Sequence, residues 1–220
     1  MNRFKIALCI IGFMSFTLKT LGQQVTVKPF LTEDALEVIN RKIKISKNEQ
    51  NKPIVKVNAQ PNAGIIWVKD IVFKKGIIEF DVKGKDVLQE SFVGIAFHGQ
   101  CDSIYEAVYF RPFNFQAVDT IRKKHAIQYI ATPGYDWPYL REFFPDQYES
   151  SLLISVDPND WFHVKIIVDD KTIETFVNGE TKPTLIVHSL QSSTSGKIGF
   201  WTGNDSDGQF ANLVITNQND

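Results

Sequence analysis

The segment YEAVYFRPF, residues 105–113, places aromatic and cationic side chains at alternate positions. Successive side chains of a β-strand point to opposite sides of a sheet. Tyr105, Tyr109 and Arg111 would therefore share one face, while the opposite face is largely apolar. Aromatic rings can stack on the apolar C–H side of a sugar, and arginine donates hydrogen bonds to hydroxyl oxygens. This segment predicts a face that binds a polar, ring-shaped ligand.

Two carboxylates and one histidine on other predicted strands could supply acid–base chemistry. Glu79 and Asp81 alternate with bulky apolar residues, so both are predicted to point away from the core. Their Cα atoms would lie roughly 7 Å apart, which is compatible with the ~5 to 9.5 Å separation of the two carboxyl groups in glycosidases. His98 is predicted on the outward face of its own strand, where it could act as a general acid or base with Glu79.

Small residues would form the floor of such a site. Alternation also turns Trp201 outward, so it would join the tyrosines, Arg111 and the acid–base residues if their strands are neighbours. The floor that leaves room for a ligand would consist of Gly94, Ala96, Ala107 and Gly199. The alternative is the hydrated side of an ordinary sheet, in which Arg111 pairs with Glu79 or Asp81.

Glu106 does not fit this division of faces, because alternation places it on the core side with Val108 and Phe110. It could lie at the strand end and reach solvent, or a bulge near Tyr105 could break the register. A buried carboxylate with a raised pKa at this position would be a catalytic candidate.

Eleven runs rich in Val, Ile, Phe, Tyr and Trp, bounded by turn residues, predict β-strands. They span residues 54–57, 64–69, 77–82, 92–98, 105–111, 126–131, 162–168, 172–177, 184–187, 197–201 and 209–215. This number of strands in one domain predicts an all-β, two-sheet sandwich. One short helix is predicted around residues 32–40, with Thr32 as its N-cap.

The segment Thr132–Ser151 departs from strand alternation and is rich in aromatic residues, among them Trp137. Loops of this length in compact domains are usually functional or disordered, and the aromatic content argues against disorder. We expect this segment either to plug one end of the sandwich or to form a wall of the binding site. In the second case Trp137 would contact the ligand.

Composition and charge narrow the class of protein. The 220-residue chain is 43% hydrophobic and has a formal net charge of -1, which gives no argument for binding nucleic acid or an anionic membrane. Residues 1–22 combine a basic start with a short, interrupted apolar stretch, a pattern typical of a cleavable secretory signal. We expect a secreted or periplasmic protein without stable membrane insertion. Residues 23–220 would form one domain with a short N-terminal extension over residues 23–52.

Cysteine usage predicts no disulfide. Cys9 falls in the apolar stretch of the predicted signal, so the mature chain would keep only Cys101. No histidine–asparagine pattern surrounds Cys101, and no chemistry is assigned to its thiol.

The loop of residues 203–208 carries short oxygen-bearing side chains of the kind that Ca²⁺ prefers. Asp205 and Asp207 are the candidate ligands of a structural calcium ion. The loop lacks the spacing and the terminal glutamate of an EF-hand, and the same residue types also favour a hairpin turn. No other cofactor is expected.

Several segments resemble the concanavalin A-like lectin/glucanase superfamily, particularly the laminin G-like and 3-keto-disaccharide hydrolase-like jelly rolls of exported bacterial proteins. These segments are Gly76–Val82, Gly94–Phe97, Asp160–Lys165, Phe176–Gly179, Gly196–Trp201 and Gly208–Leu213. The resemblance implies a jelly-roll sandwich of two curved antiparallel sheets, with sugars bound on the concave face or along its rim. Glu79 and Asp81 match the start of the Glu-x-Asp-x-Glu pattern of the superfamily's endoglucanases. Lys83 replaces the second glutamate, so that mechanism is not expected.

The residues and the resemblance leave three functions open. The first is an exported domain that binds an oligosaccharide or polysaccharide on its concave face through Tyr105, Tyr109, Arg111, Trp137 and Trp201. The second is a glycoside hydrolase, similar to the 3-keto-disaccharide hydrolases, that uses Glu79 with Asp81 or His98. The third is a non-catalytic structural or adhesive module. An open aromatic groove would favour the first function, and a sealed pocket with the acid–base residues would favour the second.

Overall fold

The central strands of the protein form where apolar residues alternate with period two. A computed structural model describes residues 24–218. In the strand Gly76–Lys83, for example, Ile78, Phe80 and Val82 are fully buried, while the residues between them are half-buried. This pattern is expected of a sheet with one face on the core and one on solvent.

Fifteen strands and two short α-helices occur in the described residues. The strands are β1 (Gln24–Val27), β2 (Leu36–Ile39), β3 (Ile43–Lys47), β4 (Pro53–Val57), β5 (Gly64–Val68), β6 (Gly76–Lys83), β7 (Val93–Cys101), β8 (Ile104–Phe110), β9 (Ile127–Thr132), β10 (Glu149–Ser150), β11 (Phe162–Val168), β12 (Thr172–Val177), β13 (Leu185–His188), β14 (Lys197–Thr202) and β15 (Gly208–Gln218). The helices are α1 (Thr120–Lys124) and α2 (Trp137–Phe143). Glu33–Ala35 and Pro112–Asn114 form 3₁₀ turns.

The strands form two antiparallel sheets. The eight-stranded sheet has the order β13-β12-β11-β6-β15-β4-β3, and β1 also pairs with β15. The seven-stranded sheet has the order β10-β9-β8-β7-β14-β5-β2. The predicted all-β jelly-roll sandwich is therefore confirmed, and each of the eleven predicted strands overlaps an observed one.

Aromatic side chains pack between the inner faces of the two sheets. Phe110 of β8 contacts Phe162 of β11 across the sandwich, with 5.0 Å between ring centroids. Phe115 lies edge-on to both of these rings. Because each aromatic ring buries a large apolar area, this cluster contributes strongly to the packing of one sheet on the other.

The predicted helix over residues 32–40 is wrong. Only the 3₁₀ turn Glu33–Ala35 forms, and the Thr32 side chain makes no capping hydrogen bond. The following residues Leu36–Ile39 pair with β5 instead, which buries Leu36. Pairing with an existing sheet outweighs the weak local preference for a helix.

The N-terminal part of the described chain belongs to the sheets, since β1, β2 and β3 pair with β15, β5 and β4. The predicted signal at residues 1–22 lies outside the described residues. No helix within residues 24–218 is long and apolar enough to cross a membrane. Cys101 is a free, exposed thiol.

Candidate functional site

The strand register brings the predicted small residues together on the outer face of the seven-stranded sheet. Gly199 pairs with Ala96, which pairs with Ala107, and Gly94 lies beside Trp201 and Tyr109. All four small residues are buried.

The protein's own aromatic rings cover this floor. Trp201 Nε1 donates a hydrogen bond to the Tyr105 hydroxyl at 3.1 Å, and the rings of Trp201 and Tyr109 lie 4.7 Å apart. Trp67 packs edge-on against Tyr105. These side chains are buried, and burial raises the pKa of Tyr109 to about 12. The small residues therefore make room for internal aromatic packing rather than for a ligand.

Glu79 and Asp81 lie on the solvent face of the other sheet, because β6 belongs to the eight-stranded sheet. The assumption that their strand neighbours β7 and β8 is wrong, and Arg111 pairs with neither carboxylate. Asp81 instead accepts a hydrogen bond from His163 Nδ1 at 2.7 Å and another from Asn212. The hydrogen bond to Asp81 raises the pKa of His163, even though burial opposes this shift.

His98 points inward, contrary to the prediction. A bulge between Phe97 and Cys101 shifts the register, and His98 has a φ of 52°, so strict alternation ends before this residue. Its Nδ1 lies 2.5 Å from Glu106 Oε2, and its Nε2 lies 2.6 Å from the Lys74 carbonyl oxygen. Because a carbonyl oxygen can only accept, Nε2–H donates to Lys74, and Nδ1 forms the hydrogen bond with the Glu106 carboxyl group.

Glu106 is fully buried on the core side, as alternation predicts. Besides His98, it accepts hydrogen bonds from the hydroxyls of Tyr129 and Ser189. Burial, followed by the adjacent Glu106 charge, raises the pKa of Tyr129. The hydrogen bonds of Glu106, a residue of β8, thus connect this strand to β7, to β9 and to the segment after β13. This is the arrangement of a structural network.

A pocket opens beside the outer face of the seven-stranded sheet, where β8 ends. Its volume is about 340 Å³. We call it the arginine pocket, and its main lining residues are Phe92, Arg111, Arg122, His125, Trp137 and Arg141. Two of the residues predicted to bind ligand, Arg111 and Trp137, meet here.

Tyr109 and the chain before β9 hold Arg111 at the pocket wall. Its guanidinium donates to the Tyr109 hydroxyl at 2.8 Å and to the His125 carbonyl oxygen at 2.9 Å. The guanidinium carbon also lies 4.9 Å from the centroid of the Tyr109 ring, a cation–π distance. Burial lowers the pKa of Arg111, but an arginine side chain keeps its charge at neutral pH.

Helix α2 supplies Trp137 and Arg141. Asp136 caps the helix by accepting from the Tyr139 amide, and Pro138 occupies its first turn. Leu140 is buried in the hydrophobic core, and the helix contacts β9. Trp137 and Arg141 are four residues apart on one face, and the Arg141 guanidinium lies 4.9 Å from the Trp137 ring centroid. The segment 132–151 therefore forms a wall of the pocket.

Glu149 of β10 is the buried carboxylate behind the pocket. It accepts two hydrogen bonds from Arg141, at 3.0 and 2.7 Å. Its Oε2 lies 2.7 Å from His125 Nδ1 and 4.0 Å from Arg111 Nη1. Burial nevertheless lowers the pKa of His125, so this imidazole is mainly neutral at pH 7.

Four charged or titratable residues of this site were not found from the sequence, namely Arg122, His125, Arg141 and Glu149. The Asp136-Trp137-Pro138 sequence is a helix-start signal that could have located Arg141 one turn later. Glu149 lies in a two-residue strand, which is too short to give a periodic pattern.

Asp205 and Asp207 each have a partner within the protein. Asp207 pairs with Lys85 at 3.1 Å, and Asp205 accepts from the Asn204 amide at 2.6 Å. Within residues 24–218, no group of three or more His, Cys, Asp or Glu side chains is placed to hold a metal ion. The structural calcium stays a prediction.

The fold is that of lectin- and glucanase-type jelly rolls. A protein of unknown function with a galectin-like fold from Bacillus subtilis is 14% identical, with a TM-score of 0.57 over 88% of this chain and 94% of that chain. The carbohydrate-binding module CBM66 from Bacillus subtilis is 10% identical, with a TM-score of 0.55 over 84% and 96%. A Bacillus licheniformis β-glucanase is 12% identical, with a TM-score of 0.56 over 90% and 99%. At these identities the likeness concerns the fold alone.

Within this class of folds, the sequence identifies the family of the protein. The family model of the 3-keto-alpha-glucoside-1,2-lyase-like domain matches residues 34–216. The protein belongs to this family, as its resemblance predicted. A search of curated protein sequences found no match.

Proposed function

We propose that the protein is an exported saccharide-binding domain and that the arginine pocket is its binding site. The observation that carries this proposal is Trp137, which is 46% exposed in a pocket that three arginine side chains also line. An exposed ring can stack on a sugar, and guanidinium groups donate hydrogen bonds to its oxygens. A pocket of about 340 Å³ is at the small end of the range for small-molecule sites, which suits one or two sugar units.

The other predicted binding residues have supporting roles in this proposal. Tyr109 orients Arg111, while Trp201 packs against the Tyr109 ring and donates a hydrogen bond to the Tyr105 hydroxyl. The signal-like pattern of residues 1–22 supports export to the periplasm or the medium.

A glycan screen on the purified protein tests the binding function, with Trp137→Ala as the informative variant. We expect the saccharides that the unmodified protein retains to bind about tenfold more weakly to the Trp137→Ala variant. Tyr139→Ala is the matched control, because Tyr139 is an exposed aromatic residue of the same helix that does not line the pocket. Equal losses in both variants, or no retained saccharide, would contradict the proposal.

A second candidate is elimination from a 3-keto-glucoside, and the neutral His125 in the pocket favours it. A ketone at C3 makes the C2 proton acidic. A base removes this proton, the C1–O bond breaks with formation of a C1=C2 double bond, and the departing alcohol takes up a proton. His125 would be the base, and Arg111 would stabilise the negative charge that develops on the C3 oxygen.

The pH dependence of aglycone release tests this reaction. Burial lowers the pKa of His125 below its ordinary value of 6.5, and only the neutral imidazole can accept a proton. We expect the rate to fall as the pH drops through a midpoint below 6.5. His125→Gln should lower the rate at least about 100-fold. If the unmodified protein binds saccharides but releases no aglycone, the elimination reaction is refuted and the binding function stands.

A further inference from the structure

We propose that the arginine pocket selects an anionic saccharide, one that carries a carboxylate or a sulfate ester. This inference rests on the proposed function, because it names the class of saccharide that the same pocket binds. Arg111, Arg122 and Arg141 line the pocket, and none of its lining residues is acidic. The only carboxylate within 4.0 Å of these three guanidinium groups in residues 24–218 is that of Glu149.

Arg122 has no carboxylate partner in the described part of the chain. Its Nη2 donates to the Phe113 carbonyl oxygen at 2.7 Å, and its Nε donates to Asn114 Oδ1 at 3.2 Å. Both acceptors are neutral. A guanidinium group has five N–H donors, so these two hydrogen bonds hold the side chain in place and leave three donors.

Arg111 is also bound mainly by neutral oxygens. Its acceptors are the His125 carbonyl, the Tyr109 hydroxyl and, at 3.4 Å, Gln128 Oε1. The Glu149 carboxylate is 4.0 Å away and already accepts two hydrogen bonds from Arg141. Within 4.0 Å, the three guanidinium groups thus share one carboxylate, which leaves two positive charges without an adjacent negative partner.

A ligand anion would supply the missing charge. Guanidinium groups bind carboxylate and sulfate oxygens through paired N–H donors, and such charge-assisted hydrogen bonds are about twice as strong as neutral ones. Because the nearly buried Arg111 and the half-buried Arg122 are shielded from water, the attraction is stronger than on an open surface. Trp137 would contact the sugar ring while the arginines hold its acidic group.

Matched ligand pairs test this selectivity by calorimetry. The carboxylate arm compares galacturonic acid oligosaccharides with their methyl esters, and the sulfate arm compares carrageenan oligosaccharides with their desulfated forms. We expect at least one charged form to bind roughly 10- to 100-fold more tightly than its neutral partner. The advantage should shrink in 0.5 M salt, where the Debye length falls to about 4 Å.

Arg122→Gln should remove at least about tenfold of this preference. Lys123→Gln is the matched control, since it removes the same charge from the adjacent residue, which does not line the pocket. Equal effects of the two substitutions would overturn the inference. If Arg122→Gln does not fold, the ligand pairs decide alone.

Other outcomes separate the inference from the proposed function. Saccharides that bind equally in charged and neutral forms would overturn the inference while the proposed function stands. Binding of no saccharide at all would overturn both.

Discussion

Two buried carboxylates have different surroundings in this protein. Glu149 is surrounded by cationic and imidazole groups at the edge of a pocket, whereas Glu106 is enclosed by His98 and two hydroxyl groups in the core. Alternation placed Glu106 on the core side, although a solvent-exposed strand end and a bulge near Tyr105 stayed open as alternatives. It could not show its partners, because His98 reaches it only through a bulge that period-two spacing does not reveal.

Glu106→Gln tests the structural role of this network. A glutamine has one carbonyl oxygen where the carboxylate has two, and its NH₂ group would face a donor, so we expect a loss of roughly 3 kcal/mol in the free energy of unfolding. Urea denaturation followed by circular dichroism measures it. Glu79→Gln is the control, because Glu79 is partly exposed on the other sheet, and it should change stability by less than about 0.5 kcal/mol. Similar midpoints for the two variants would refute the structural role.

Short elements position the pocket. Helix α1 is only five residues long, and Asp119 caps it by accepting hydrogen bonds from the amides of Ile121 and Arg122. The long strands were predictable from their aromatic and β-branched residues. Helix α2 has a start signal in its sequence, but its packing through Leu140 and the pairing of Glu149 of β10 with Gln128 were not predictable, because they depend on residues distant in sequence.

Asp119→Ala should loosen α1 and lower the free energy of unfolding by about 1 kcal/mol. It should also weaken binding of the anionic saccharide, because Arg122 lies in the capped turn. Asp119→Asn removes the same charge but keeps a good capping side chain, and it should retain both properties. The comparison is made by thermal unfolding and calorimetry. Loss of binding in Asp119→Asn as well would assign the effect to charge and not to the cap.

At the scale of the whole molecule, the sheet order decides which predicted residues can meet. A two-sheet sandwich could be predicted from the number and spacing of strands. The assignment of β6 to one sheet and β7 and β8 to the other depends on long-range pairing, and it separates Glu79 from Tyr109. Residue types therefore indicated saccharide chemistry, while the position of the pocket became apparent only from the structure.

Phe162→Ala tests how strongly the two sheets depend on their shared aromatic cluster. Removing this buried ring leaves a cavity beside Phe110 and Phe115, so we expect a loss of about 3–5 kcal/mol in the free energy of unfolding. Phe30→Ala is the control, because Phe30 is 85% exposed and should contribute less than about 0.5 kcal/mol. Urea titrations compare the two variants, and equal midpoints would show that the cluster is not needed.

The tryptophans differ in their exposure to solvent, so intrinsic fluorescence can report on the pocket. Trp67 and Trp201 are buried and Trp161 is half-buried outside the pocket lining, whereas Trp137 is 46% exposed at the pocket. The fluorescence of Trp137 is therefore accessible to iodide, while the emission of the buried pair is shielded and shifted to the blue. A molecule that binds in the pocket covers Trp137 and lowers the part of the iodide quenching that this residue contributes, so occupancy can be followed by fluorescence without attaching a dye.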